Sequence, residues 1–334
     1  MEAWLPLIFM LLMAIAMLAY VVLDGYDLGV GILMHQAQPE QQDIMLASIG
    51  PFWDANETWL VLAVGILLVA FPVAHGLILG ELYLPVAMML AGLILRGVAF
   101  DFRVKVAAVS KPKWNLAFHV GSLLAALSQG IMLGLYIMGF KHGLASYAFA
   151  LFIGLSLAAG YSLLGAGWLI MKCEGALQLR AVAWARLMLW LTAGGILAVS
   201  LATPLLSERI FERWFGADNL LWLAPIPLAT AALWLIAERM LRTLPRPKDA
   251  FAWVPFACAV GMFMLAFLGL AYSLYPYIVI DRLTIWEAAS APESLKIILV
   301  GAMVTLPIIL GYSIYAYRVF WGKATELRYD AGPG

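Results

Sequence analysis

Long apolar stretches separated by short polar segments extend along the whole chain. Nine of them approach the length of about 20 apolar residues that a helix needs to cross a bilayer. They cover roughly 4–33, 53–73, 81–100, 116–138, 144–171, 183–203, 220–240, 252–272 and 295–318. Each is predicted to be an α-helix, because the stretches are continuous and backbone amides in hydrocarbon must be satisfied within their own segment. The pattern therefore predicts an all-α, polytopic membrane protein with nine transmembrane helices.

The polar segments are too short to form a large soluble unit, so residues 1–334 are predicted to be a single integral membrane domain. The first apolar stretch begins near Trp4 with no basic segment before it, and it is longer than the apolar part of a signal peptide. We expect it to be retained as the first span. Lys and Arg are concentrated in alternate loops, which predicts a periplasmic N-terminus and a cytoplasmic C-terminus.

The composition agrees with a membrane protein, since 64% of the residues are hydrophobic and 12% are charged. Soluble domains average about 45–50% apolar and about 25% charged residues. The net charge is zero, which argues against a nucleic-acid partner. Cys173 and Cys258 lack metal-type spacing and are expected to be inert thiols. The four histidines form no paired pattern, so neither a metal site nor a catalytic residue is predicted in this chain.

Ionisable residues in the first three spans lie at one depth, near the predicted cytoplasmic end. Such residues cost about 2.5–3.5 kcal/mol each on insertion scales and are candidates for function. Carboxylates three residues apart share a helix face, and one such pair ends the first span while another begins the second. The third span brings two arginines and a further carboxylate. The complete set is Asp24, Asp27, Asp54, Glu57, Arg96, Asp101 and Arg103.

Two interpretations of this set are open. Carboxylates close together in a low dielectric raise one another's proton affinity, while arginines lower it, so the cluster is suited to taking up protons from the cytoplasm. Alternatively, the residues are ion pairs and helix caps that fix the packing of three helices. Asp54 and Glu57 in the first turns of a helix suit its dipole in either case. For Asp101 and Arg103, near the interface, the structural interpretation is favoured.

Three segments carry a resemblance to a known family. Residues 24–31 read DGYDLGVG, residues 48–59 read SIGPFWDANETW and residues 96–103 read RGVAFDFR. These segments are similar to the DGFDLGVG, SIGPxWDGNExW and RGVAFEFR stretches of subunit II of cytochrome bd-type quinol oxidases. Asp101 stands where Glu is common, and Ala55 replaces the usual Gly. The short outer loops resemble the cyanide-insensitive branch of that family.

The resemblance implies two four-helix bundles plus one peripheral helix. It also implies a complex that oxidises quinol and reduces O₂ to water, with haem b and haem d-type groups in the larger subunit I. A small accessory subunit belongs to some such complexes. The chain itself is expected to scaffold subunit I and to supply a proton route with Asp54 at its cytoplasmic mouth. A structural quinone near the first spans would involve Trp53 and Trp59.

Two other classes of protein are compatible with a polytopic chain of this kind. A proton-coupled transporter also needs membrane carboxylates, but its site usually lies near the midplane beside broken helices. Here the charges lie toward one face of the membrane. A purely structural anchor for another subunit would need no such cluster. Co-purification with a haem-bearing chain separates the three classes.

Overall fold

The computed structural model describes residues 4–206, 208–216 and 223–324. Within them the chain is almost entirely helical, with two short 3₁₀ turns (Ala108–Ser110 and Pro247–Asp249) and one antiparallel hairpin of β1 (Tyr277–Val279) and β2 (Leu283–Thr284). The helices are α1 (Leu5–Met34), α2 (Pro39–Ile49), α3 (Trp53–Ala70), α4 (Pro72–Glu81), α5 (Tyr83–Lys105), α6 (Lys111–Ile137), α7 (Leu144–Lys172), α8 (Gly175–Leu206), α9 (Glu208–Phe215), α10 (Pro225–Leu241), α11 (Val254–Leu274) and α12 (Pro292–Val319).

The predicted all-α membrane fold is confirmed, but the count of nine spans is not. Within the described ranges, 8 helices are long and apolar enough to cross a bilayer. The predicted span 220–240 corresponds to α10, which has 17 residues and begins just after a segment outside the described residues. The predicted span 53–73 ends earlier, at Ala70, because Phe71 leaves the helical conformation and Pro72 starts α4.

The helices group into two bundles. In the first, α1 packs against α3 and α6, and α5 packs against α6. In the second, α7 and α10 each pack against α8 and α11. Contacts of α7 with α1 and α6 join the bundles. The helix α12 lies against α3, and only 6% of its apolar membrane segment is buried inside the protein. This is the expected arrangement of two four-helix bundles and one peripheral helix.

Glycines allow the two bundles to approach closely. A Cβ on Gly29 of α1 would overlap the carbonyl oxygen of Tyr161 in α7, and a Cβ on Gly165 of α7 would overlap the backbone of α1 at Val30. The contact partners are backbone atoms, so no side-chain movement could relieve either overlap. Small residues are the usual means by which membrane helices bring their backbones together. The α1–α7 crossing therefore fixes the position of the end of α1 that carries Asp24.

A short helix after the end of the first span, α2, was not predicted from the apolar pattern. It follows α1 directly and is joined to the bundle by polar side chains. Arg103 donates to Asp43 of α2 and to Asn115 of α6, and Asn115 in turn donates to Gln42. Gln42 donates to the Met34 carbonyl oxygen at 3.1 Å, which satisfies a carbonyl at the open end of α1. Arg103 thus holds the helix α2 against the bundle.

The carboxyl-terminal end of the peripheral helix α12 is also held by polar contacts. Lys172 at the end of α7 donates to the Phe320 carbonyl oxygen at 2.9 Å, and its ammonium lies 5.1 Å from the centre of the Trp168 ring. Lys323 pairs with Asp249 at 2.6 Å. These contacts compensate for the small apolar burial of α12 and fix the position of Tyr317 in its last turn.

We expect both cysteines to resist labelling in the folded protein. Cys173 is fully buried and Cys258 is 4% exposed. Burial raises the pKa of the Cys173 thiol to about 12, so only about one thiol in 10⁴ is ionised at pH 8, and the thiolate is the reactive form. A hydrophilic maleimide should label neither residue at pH 8 before denaturation and both after it. Rapid labelling of Cys173 in the native protein would contradict this burial.

Candidate functional site

A buried guanidinium joins three helices of the first bundle. Arg96 of α5 is 1% exposed, and its Nη2 donates to Asp24 Oδ1 of α1 at 2.7 Å. The same Nη2 donates to Glu57 Oε1 of α3. Asp24 is fully buried, whereas the Glu57 side chain is 30% exposed. The ion-pair cluster of Asp24, Glu57 and Arg96 thus extends from a partly accessible carboxylate to an inaccessible one.

Asp27, three residues after Asp24 on α1, belongs to a separate hydrogen-bonded network beside this cluster. Asn56 of α3 donates through Nδ2 to Asp27 Oδ2 at 2.8 Å and to the Tyr26 hydroxyl at 2.9 Å. Tyr317 of α12 donates to Asn56 Oδ1 at 3.1 Å, and the Tyr26 and Tyr317 hydroxyl oxygens are 2.6 Å apart. Asp27 is fully buried. Asn56 therefore links Asp27 to a network of side chains from α1, α3 and the peripheral helix α12.

Polar side chains continue from Asp24 toward the middle of the membrane. Tyr20 lies one helical turn before Asp24 on α1 and accepts a hydrogen bond from Gln129 Nε2 at 2.7 Å. The Tyr161 hydroxyl of α7 donates to Gln129 Oε1 at 2.7 Å. Gln129 therefore bridges the two bundles just above the ion-pair cluster.

Several buried polar atoms of the site have no protein partner among the residues that the structure describes. They are Asp24 Oδ2, Asp27 Oδ1, Arg96 Nε and Arg96 Nη1. Most buried polar groups in proteins bond to protein or to ordered water. The site therefore has two carboxylate oxygens and two guanidinium nitrogens that can form further hydrogen bonds.

The remaining residues of the predicted set lie outside the ion-pair cluster. Asp54 and Asp101 are exposed on neighbouring helices, and Asp54 lies within electrostatic range of Asp101 and Arg96. Arg103 turns away to Asp43 and Asn115, because the unpredicted helix α2 supplies it with a partner. The seven residues thus share one end of the bundle, but they do not form one cluster.

The two tryptophans expected near a structural quinone face different surroundings. The Trp53 ring packs against Phe100 at 5.1 Å between centroids and lies 5.9 Å from the Arg96 guanidinium carbon. Trp59 is buried in a different cluster, with Tyr20 and small residues of α1. The two rings do not form a common wall for a flat ring system.

Two of the four histidines form a pair that the sequence did not predict. The rings of His35 and His119 stack with centroids 5.1 Å apart, and this pairing was missed because the residues lie on α6 and at the end of α1. His119 Nδ1 lies 3.2 Å from the Gly31 carbonyl oxygen, so the ring satisfies a carbonyl of the last turn of α1. Within the described ranges, no group of three or more metal-type side chains comes together.

The sequence matches one family over nearly its whole length. The family described as cytochrome bd terminal oxidase subunit II aligns with residues 5–320. The chain belongs to this family. As a subunit II, it is part of a quinol oxidase complex of the respiratory chain, and that membership implies a subunit I partner.

Relatives of this subunit II agree with the assignment. Cytochrome bd-I ubiquinol oxidase subunit 2 of Escherichia coli K12 is 26% identical over 96% of this chain and 95% of the relative. Cytochrome bd ubiquinol oxidase subunit 2 of Bacillus subtilis 168 is also 26% identical, over 93% of this chain and 94% of the relative. A chain of the bd oxidase from Geobacillus thermodenitrificans has the same fold, with a TM-score of 0.76, 20% identity and coverage of 95% and 98%.

In this bd oxidase subunit II, the three motif segments form the site that the geometry defines. The segment 24–31 supplies Asp24, Asp27 and the close-packing Gly29, the segment 48–59 supplies Asn56 and Glu57, and the segment 96–103 supplies Arg96. The membership favours an oxidase subunit over the transporter alternative. Assignment to the cyanide-insensitive branch stays a prediction.

Proposed function

We propose that this subunit II supplies a cytoplasmic proton-uptake route for O₂ reduction and scaffolds the haem-bearing subunit I. The observation that carries the proposal is the gradient of exposure across the ion-pair cluster. Asp54 is exposed, Glu57 is 30% exposed, and Asp24 is fully buried behind Arg96. A proton that enters at Asp54 can thus reach a buried carboxylate through groups on adjoining helices.

The charge balance of the site supports a proton-holding role. Asp24 and Glu57 contact a single guanidinium, that of Arg96, and Asp27 lies within electrostatic range of the same cation. An ionised carboxylate buried without a counter-ion costs several kcal/mol, so a site with more carboxylates than cations can hold an additional proton. Its unpartnered buried oxygens also offer acceptors to water, which is the usual partner of such atoms.

The exposure of Asp54 and Asp101 supports a contact of subunit I with this part of the chain. Both carboxylates are exposed at the ends of membrane helices, where contact with hydrocarbon would be costly. We infer that subunit I or the aqueous phase covers the α3–α5 face that carries them. The haems are assigned to that partner, and a small accessory subunit remains an expectation.

The same proposal includes the topology of the chain. The concentration of Lys and Arg in alternate loops supports a periplasmic N-terminus and a cytoplasmic end of α12 in a bacterial inner membrane. The site then lies at the cytoplasmic side, where protons for water formation are taken up. The structural quinone expected at Trp53 and Trp59 is not part of the proposal, because the two rings lie in different surroundings.

The proton role of Asp54 is tested by Asp54→Asn. This change keeps the size of the side chain but removes its ability to carry a proton. Because positioned proton-transfer groups contribute about 10²–10⁴ to rates, we expect quinol-dependent O₂ uptake to fall by about tenfold or more. The haem absorbance and the yield of the complex should stay at wild-type levels.

Glu174→Gln is a suitable control, since Glu174 is an exposed carboxylate at the cytoplasmic end of α7, away from the cluster. This control should turn over normally. Normal turnover of Asp54→Asn in a fully assembled complex would reject the proton-entry role. Loss of assembly would instead support the structural interpretation of the residue.

A further inference from the structure

A second polar feature lies at the cytoplasmic end of the other bundle, on α10. An open groove of about 400 Å³ is bordered there by Ile236, Arg239, Met240, Arg242, Thr243 and Arg246. Ile236, Arg239 and Met240 lie three and four residues apart on one face of α10, which ends at Leu241. Arg242, Thr243 and Arg246 lie in the segment that follows the helix.

The groove carries a positive charge that the protein neutralises only in part. Glu238 is buried, and its Oε1 forms ion pairs with Arg242 Nε at 2.9 Å and with Arg186 Nη2 of α8 at 3.8 Å. Arg239 is exposed and has no side-chain partner in the described part of the chain. This part of the protein therefore has one carboxylate, that of Glu238, and four arginines: Arg186, Arg239, Arg242 and Arg246.

One of these arginines is fixed in place before any ligand arrives. Arg246 donates to Thr243 Oγ1 from Nε at 3.1 Å and from Nη2 at 2.7 Å. Its guanidinium carbon lies 5.5 Å from the centre of the Phe251 ring. A guanidinium held in this way loses less entropy on binding an anion, and its planar donors suit phosphate oxygens.

The groove lies where lipid headgroups meet the acyl chains. Phe251 and Trp253 follow it in the chain and are 49% and 60% exposed, as expected for aromatic residues at the membrane interface. Ile236 is 47% exposed and lies deeper on the same helix face as Arg239. A ligand that fits this site has an anionic head and an apolar chain.

We propose that this groove binds an anionic phospholipid. Arg239 and Arg246 contact the phosphate, and an acyl chain lies along Ile236 and Met240. A general excess of cytoplasmic arginines would explain the sign of the charge. It would not explain an arginine ordered by Thr243 and Phe251 beside an apolar wall. Clusters of basic residues beside the cytoplasmic end of a membrane helix are a known means of attracting anionic headgroups.

The test is lipid retention by the purified oxidase complex in nanodiscs, measured by native mass spectrometry. The discs hold palmitoyl-oleoyl-phosphatidylglycerol diluted in palmitoyl-oleoyl-phosphatidylcholine. We expect the wild-type complex to retain phosphatidylglycerol selectively and Arg239→Gln/Arg246→Gln to retain it about tenfold less. The control Lys105→Gln/Lys113→Gln removes two cations from the α5–α6 side of the same membrane face and should bind as the wild type does.

Three results would overturn the proposal: equal retention by the double variant, equal retention of phosphatidylcholine, or displacement of the lipid by millimolar inorganic phosphate. If the double variant does not assemble, Thr243→Val serves instead. It removes the hydroxyl that orders Arg246 without changing any charge. It should weaken retention several-fold at an unchanged haem spectrum, and unchanged retention would reject the site.

Discussion

Arg96→Met should prevent the accumulation of a stable complex. The substitution leaves Asp24 fully buried without its counter-ion and removes the cation that Glu57 contacts. Removal of one partner from a buried ion pair costs about 3–5 kcal/mol, which is a large share of the stability of a typical domain. The loss is measured as the yield and thermal stability of the solubilised complex, with the haem spectrum as a readout of assembly.

Two comparisons identify the cause of that loss. Arg282→Met removes a cation from a partly exposed pair with Glu81 at 2.9 Å, and it should cost about 0–1 kcal/mol. Arg96→Met/Asp24→Asn removes both buried charges and should recover a substantial part of the yield. Wild-type stability of Arg96→Met alone would show that Asp24 does not depend on this guanidinium. An unimproved double variant would indicate that packing, rather than charge, is the cause.

Gly29→Ala should separate the two bundles or prevent them from forming. The added methyl group would overlap the backbone carbonyl oxygen of Tyr161 and lie 3.0 Å from the Gly165 nitrogen. Both are main-chain atoms of the tightly packed helix α7, so the helices would have to move apart. Overpacking of a closely packed interior typically costs about 1–3 kcal/mol and sometimes more, and we expect the upper end of that range here.

The matched control is Gly65→Ala in α3, where an added Cβ has no atom within 4 Å. This change should leave stability unchanged or increase it slightly, because alanine favours helices by about 1 kcal/mol over glycine. Both variants are compared by thermal unfolding and by size-exclusion chromatography of the solubilised complex. An assembled Gly29→Ala complex with wild-type stability would contradict the close α1–α7 crossing.

The sequence allows the membrane spans and much of the ion-pair cluster to be predicted. Continuous apolar stretches determine the helices because the bilayer requires internal backbone hydrogen bonds. Helical spacing and span direction then place Asp24, Glu57 and Arg96 at one depth. Depth is a one-dimensional property, so it can be read along the chain without knowledge of which helices touch.

The apolar pattern does not predict which helices lie side by side, or which side chains they bring into contact. Arg103 turns to Asp43 because of α2, a short helix that lacks the length and apolarity of a span. Asp27 accepts a hydrogen bond from Asn56, which in turn accepts one from Tyr317 of α12, at the far end of the chain. Such pairings follow from bundle packing, which the apolar pattern does not specify.

The contribution of Tyr317 has a consequence for biosynthesis. It lies 261 residues after Asn56, so all the preceding described helices must be synthesised before this hydroxyl can reach the Asn56 amide. Until then the amide oxygen of Asn56 lacks that donor. The polar shell around Asp27 is therefore completed only when α12 leaves the translocon, as one of the last steps in the maturation of the subunit.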